Sequence, residues 1–154
     1  MSEFKPTRYT LSSVKTGKCF EETGWSLDAP GETEPTLIRA MYEKKQIDVK
    51  DASCGLFRFA DWLPVNREIK GSSSPVTYKS EALAKHLGLD NLWITFNGYW
   101  PEKGANMRTC SFKETEAYTI ISRLSAECKD VLVVASAGNT ARAFARVCSD
   151  NKVP

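Results

Sequence analysis

The chain is short of almost everything that would tie it to a metal, a membrane or nucleic acid. It has one histidine, His86, and five cysteines, Cys19, Cys54, Cys110, Cys128 and Cys148, so widely spaced that no Cys-x-x-Cys pair occurs. An odd, scattered set supports neither a zinc ribbon nor a disulfide framework, so reduced thiols and no metal site are expected. Cys110 reads as a small buried apolar thiol. His86, just before Gly88 near the end of an expected helix, reads as a cation suited to the helix dipole rather than as a catalyst. No apolar run approaches the roughly 20 residues of a membrane span, and residues 1–8 lack the apolar stretch of a signal peptide. Charge of one sign is missing as well: 21 Lys and Arg stand against 19 Asp and Glu, a formal net charge of +2. That balance leaves no electrostatic footprint for nucleic acid or an anionic membrane. A soluble, cytoplasmic protein with small-molecule partners is expected.

What is present is enough for a packed core: 154 residues, 42% of them hydrophobic, about one domain's worth of chain. Residues 1–73 read as an irregular, polar segment with short strands and a helix. Thr16-Gly17-Lys18 is a hairpin turn between Tyr9–Val14 and Cys19–Phe20, and Asp28-Ala29-Pro30-Gly31 is a second turn. The stretch 35–42 is predicted to be a short helix that starts at Pro35 and places Leu37, Ile38 and Met41 on one face. The aromatic run 56–64 has too few interleaved basic residues for a base-stacking platform, so it is assigned to packing. Gly71-Ser72-Ser73-Ser74-Pro75 marks the boundary to a more regular part, residues 74–154.

In that part, Val76-Thr77-Tyr78 predicts a strand, and Ser80 caps a helix that carries Leu83, Ala84 and Leu87 and stops at Gly88. Residues 92–96 predict a buried strand. The loop 97–110, rich in Gly, Pro and Asn, is long enough to suggest a function. Ser111-Phe112-Lys113-Glu114 matches a capping box, followed by a helical stripe of Ala117, Ile120, Ile121 and Leu124. The β-branched run 131–135 predicts a strand. After Gly138-Asn139 a helix follows, with Ala141, Phe144, Ala145 and Cys148 on one face. Strands alternating with helices imply an α/β fold with a mainly parallel sheet and flanking helices, preceded by the irregular, partly β segment.

Two helix starts carry the chemistry. Lys113 falls in the first turn of one, where the positive end of the dipole favours a neutral amine, and a neutral lysine can form a Schiff base. Ser136-Ala137-Gly138-Asn139-Thr140 leads into the other, with free backbone N–H groups and a polar amide suited to an anion. Asn139 also reads as a helix cap, a role compatible with ligand contact. Together the two starts suggest a pyridoxal phosphate site. The competing reading is a non-catalytic α/β module whose Gly138-Asn139 turn binds some other anion.

With these motifs the chain resembles the tryptophan synthase β group of pyridoxal phosphate enzymes, called fold type II. Residues 55–64 and Ser74-Pro75-Val76 are similar to segments of threonine synthases. Residues 8–17, 94–107 and 110–117 resemble the cysteate synthase branch of those enzymes. The resemblance implies that Lys113 carries pyridoxal 5'-phosphate as a Schiff base and removes the substrate's α-proton. It implies that Asn139 hydrogen-bonds the cofactor's 3′-hydroxyl, and that Ser136, Ala137, Gly138 and Thr140 cradle the substrate carboxylate. The implied reaction is a β-replacement that turns O-phospho-L-serine and sulfite into L-cysteate and phosphate, on a route to coenzyme M. Arg108 or Lys103 is the candidate to bind phosphate or sulfite. Glu114-Thr115-Glu116 after the lysine and Met107-Arg108-Thr109-Cys110 before it depart from the threonine synthase pattern. Threonine synthase and O-phosphoserine sulfhydrylase activities remain as alternatives. Such enzymes are considerably longer and self-associate. The chain is therefore expected to be their N-terminal part, inactive alone, with the cofactor's phosphate and pyridine-nitrogen contacts supplied from beyond residue 154.

Overall fold

In the computed structural model, which describes residues 4–22 and 26–154, the chain forms two units. The first comprises the chain up to Ile69 together with Thr119–Asp130, and the second Lys70–Tyr118 with Val131–Pro154. Both are mixed in character, and the protein as a whole is α/β. Residues 1–3, part of the segment searched for a signal peptide, lie outside the described residues.

In the first unit, Gly17 takes a φ of +72°, a conformation glycine adopts without a Cβ clash. It returns β1 (Tyr9–Ser13) against β2 (Cys19–Phe20), as the sequence predicts, with Leu11 opposite Phe20. The third strand is a correction. Residues expected to be helical form β3 (Ile38–Tyr42), antiparallel to β1 with Tyr9 opposite Tyr42 and Ser13 opposite Ile38. A period of two prevails over the helical one: Ile38, Ala40 and Tyr42 are half-buried, whereas Arg39 and Met41 face solvent. The Tyr9 and Tyr42 rings, 6.1 Å apart, make the kind of cross-strand aromatic pair that stabilises such a ladder. Arg123 and Tyr9 both hydrogen-bond Glu22. Two 3-10 turns spanning Gly55–Trp62 bury Leu56, Phe57 and Ala60, so the aromatic run does pack, while Phe59 and Trp62 stay largely exposed.

The second unit holds two antiparallel ribbons. β4 (Val76–Lys79) pairs with β5 (Trp93–Phe96), Val76 opposite Phe96, and β6 (Tyr99–Trp100) pairs with β7 (Ala105–Asn106). The connection between β4 and β5 contains α1 (Glu81–Leu87). Gly88 ends it at φ +69°, with Leu89 N–H donating to Ala84 O and Gly88 N–H to Lys85 O, the paired bonds of a Schellman stop. β5 is present but not buried, since Trp93 is exposed. α2 (Lys113–Ile121) starts in this unit and carries the chain into the first. α3 (Asn139–Asn151) buries Ala143, Phe144 and Val147, a stripe displaced from the predicted one because Ala145 faces solvent.

The predicted strand at 131–135 does not form, and all strand pairing among the described residues is antiparallel. Val131 and Val133 are 72% and 85% exposed. β propensity expresses fit to a neighbouring strand, and among the described residues no strand pairs with this run, whose Leu132 N–H donates to Pro154 O at 3.3 Å. No helix among the described residues is long and apolar enough to cross a membrane.

α3 is tied to the start of its unit through Asn151, whose Oδ1 accepts from Lys70 N–H at 2.9 Å and whose Nδ2 donates to Lys70 O at 3.1 Å. The next residue, Gly71, has φ +92°, and a Cβ there would lie 2.7 Å from Tyr118 Oη. Gly71→Ala should therefore lose about 1–3 kcal/mol, from backbone strain and displacement of the phenol; urea unfolding measures it. Tyr118 is also the group to follow with pH. Burial, then Glu114 and Asp150, push its phenol up from the ordinary 10.0 to about 12. A phenol raised in the folded state binds its proton more tightly than in the unfolded chain, so this stabilisation is complete below about pH 10 and disappears as pH rises through about 12. Tyr118→Phe should flatten the stability–pH curve in that window, as chemical denaturation at stepped pH would show.

Candidate functional site

Lys113 is the first residue of α2. Its backbone N–H donates to Ser111 Oγ at 3.3 Å, so Ser111 does serve the helix start as the capping pattern predicts. The other half of the box is corrected. Glu114 does not reach back to Ser111; its Oε2 accepts the Thr109 N–H and the Thr109 hydroxyl, each at 2.8 Å. Glu114 is only 2% exposed and Thr109 6%. A carboxylate that far from water is tolerated when its oxygens accept hydrogen bonds. The loop between them is tight: Cys110 N–H donates to Met107 O at 3.0 Å, and Cys110 sits at φ +54°. Left-handed backbone disfavours a Cβ. Cys110 is exposed rather than buried, another departure from the sequence reading, because the turn points it outward between buried Thr109 and Ser111.

The Lys113 side chain is 34% exposed, and its Nζ pairs with Glu116 Oε2 at 2.5 Å, three residues along the helix. It also lies 5.4 Å from the centre of the exposed Phe112 ring. Of the other expected residues, Ser136, Ala137, Gly138 and Asn139 are exposed and Thr140 is half-buried. Ser136 Oγ accepts the Gly138 N–H at 3.3 Å. Gly138, not Asn139, occupies the N-cap position of α3, with φ −119° and ψ −145°, and no side chain caps the helix. Asn139 therefore begins the helix, and a Cβ on Gly138 would meet nothing within 4 Å. Arg108 is exposed on the loop before α2, and Lys103 Nζ lies 5.8 Å from the centre of the Trp100 ring. All these residues belong to the second unit. No hydrogen bond or ion pair among the described residues joins Lys113 to residues 136–140. Two cavities, of about 870 and 1500 Å³, lie in the first unit and include none of the expected site residues.

Taken one by one, the groups at these positions are chemically suited to an aldehyde and an anion. Lys113 supplies a reachable amine, Asn139 an amide not used in capping, and the open start of the 13-residue α3 its unpaired N–H groups. What the sequence did not reveal is Thr109. A Thr five residues before a Glu is outside the usual capping spacing, and only the folded loop makes it the partner of Glu114.

The fold and these residues define a mixed α/β protein with a lysine at one helix start and an open glycine turn at another. Comparison gives it relatives. It is 46% identical to a cysteate synthase of Methanosarcina mazei over 138 residues, which are 90% of this chain and 32% of the relative. It is 46% identical to that of Methanospirillum hungatei over 148 residues, 96% of this chain and 34% of the relative. It is 55% identical to that of Methanococcoides burtonii over 123 residues, 79% and 29% respectively. The chain is thus related to the cysteate synthases over most of its own length, and spans about a third of the length of the curated relatives it matches. No protein-family model matches it, and no solved structure does.

Proposed function

We propose that this chain carries the lysine-bearing part of a pyridoxal phosphate-dependent cysteate synthase, which replaces the phosphate of O-phospho-L-serine by sulfite. The observation that carries this reading is the 41–55% identity to proteins named cysteate synthase, together with Lys113 at a helix start and accessible. In the net reaction the substrate's Cβ–O bond breaks, phosphate leaves, and a Cβ–S bond to sulfite forms. When bound, pyridoxal phosphate supplies an electron sink for the negative charge that develops at the substrate's Cα. The chain's own residues do the rest. Lys113 Nζ would hold the cofactor and, once freed, would take the substrate's Cα proton as general base. Asn139 would hold the cofactor through its side-chain amide. The N–H groups at the start of α3, with Ser136, Ala137, Gly138 and Thr140, hold the substrate carboxylate. Arg108 offers a guanidinium to the leaving phosphate or the incoming sulfite, whose oxygens suit its fork of donors.

In this reading the apolar run 131–135 becomes a strand of a mainly parallel sheet once the partner strands of the longer enzyme lie beside it. The exposure of Val131 and Val133 and the run's position just before the glycine turn support that placement. The boundary near residue 73, a cytoplasmic location, self-association and a place in coenzyme M synthesis belong to the same proposal.

Two experiments test it. Incubation of the longer enzyme with pyridoxal phosphate followed by borohydride should attach a phosphopyridoxyl group to Lys113 in preference to other lysines, seen by peptide mass spectrometry. Labelling spread evenly over the surface lysines would reject the assignment. In the longer enzyme, Arg108→Met should raise KM for phosphoserine or sulfite about tenfold, the scale of one charge-assisted hydrogen bond; unchanged kinetics would remove Arg108 from the site. Assay with sulfide or water in place of sulfite separates the cysteate reaction from the sulfhydrylase and threonine synthase alternatives.

A further inference from the structure

The buried carboxylate beside Lys113 has no place in the steps above, yet it is the most enclosed acid of the second unit's buried set. Its contacts reach backward, to Thr109, and so span the residues that lead into α2. Two further bonds lie inside that span, Lys113 N–H to Ser111 Oγ and Glu114 N–H to Ser111 O at 3.0 Å, and a third, Cys110 N–H to Met107 O, ties it to the residues before. Met107, Thr109 and Ser111 are buried, while Arg108, Cys110 and Phe112 alternate with them at the surface. The loop is therefore pinned at every second residue, and Glu114 closes it from the helix side. Without that closure the N-terminal side of the left-handed Cys110 is held only through Met107, which accepts the Cys110 N–H, donates its own N–H to Gly98 O at 3.0 Å and is fully buried; Thr109 is freed, and the loop can relax. The backbone of Lys113, one residue from Glu114 and two from Ser111, would move with it.

We propose that Glu114 is a positioning residue for Lys113: by accepting both Thr109 hydrogen bonds it fixes the loop 107–111 and thereby the direction in which the Lys113 amine leaves α2. The proposal rests on the reading of Lys113 as the cofactor lysine, and deepens it. Reactions between held groups depend steeply on geometry, and a displacement of about 1 Å can cost on the order of 100-fold.

The test compares wild type with E114A, E114Q and T109V in the longer enzyme, using two probes of Lys113 read by peptide mass spectrometry against the exposed Lys85 of α1 as internal control. The first probe is pyridoxal phosphate with borohydride, and the second is trace acetic anhydride, which reports the amine's accessibility with no cofactor present. E114A should lower the pyridoxal phosphate adduct at Lys113 about tenfold while acetylation there rises about threefold, since a released side chain is more accessible but no longer aimed. T109V, which removes the hydroxyl donor and keeps the N–H, should move both in the same directions by less. E114Q retains an oxygen acceptor and should stay within about twofold of wild type, the scale of a weakened neutral hydrogen bond. Wild-type reactivity toward both probes in E114A and T109V would overturn the proposal, as would E114Q behaving like E114A. If E114A does not fold by circular dichroism, T109V and E114Q decide. If wild type shows no preference for Lys113 with pyridoxal phosphate, the cofactor reading fails, and the acetylation arm alone still accepts or rejects the positioning.

Discussion

A carboxylate shut away from water, accepting a backbone and a hydroxyl hydrogen bond from one residue, organises the chemically interesting end of this protein. Burying an ionised group without partners costs several kcal/mol, so the Thr109 donors and Glu114 are mutually required. Such a bond pair can hold a loop whose sequence has little helix or strand preference of its own. Residues 107–111 contain no regular structure, yet they are compact, and one of them tolerates a left-handed backbone. Polar contacts hold the loop together with the fully buried Met107 side chain. α2, which begins immediately afterwards, inherits a defined first turn from them.

Much of the local structure could be read in the sequence because its signals are local. Gly17 and Gly88 stand where the chain needs positive φ, and the turn and helix stop they specify appear as expected. The starts of α2 and α3 also follow from short patterns around Ser111 and Gly138. Failures occur where the outcome depends on distant partners. Residues 35–42 contain apolar spacings that fit a helix, but β1 offers a ladder, and pairing with it converts the segment to β3. The run 131–135 has the composition of a strand, but among the described residues no strand pairs with it; Leu132 N–H donates to Pro154 O, and Val131 and Val133 stay exposed. For the site, the sequence located the lysine and the asparagine at helix starts. It missed the Glu114–Thr109 bonds, since which donor a buried acid finds is a property of the closed loop.

The contrast between the two kinds of segment also explains why similarity to longer enzymes and the observed antiparallel ribbons are compatible. Short antiparallel pairs such as β1–β2 form from sequence neighbours joined by a turn. A parallel arrangement needs strands separated by crossover connections and gains its stability from both flanks. A chain that spans about a third of its relatives' length contains the local pairs. The valines of 131–135 have the composition of a strand buried on both faces, and their exposure marks the surface on which the proposed sheet would be built.

The ion pair on Lys113 raises a question of magnitude. A lysine held by Glu116 and resting over Phe112 must leave both contacts to react with an aldehyde. The pair is three residues apart on one helix and about a third exposed at each end, 34% and 38%. Such partly solvated pairs contribute about 0.3–0.5 kcal/mol. A cation above an exposed ring adds about 0.5–1 kcal/mol. Together they oppose release by about 1 kcal/mol, a factor of about five to ten in the population of the free amine. Covalent attachment of a cofactor with several contacts of its own exceeds that readily. Glu116 is therefore no barrier to the proposed chemistry; it parks the amine. The larger determinant is where the amine points once released, and that is set by the backbone at the start of α2, which the Glu114 carboxylate holds.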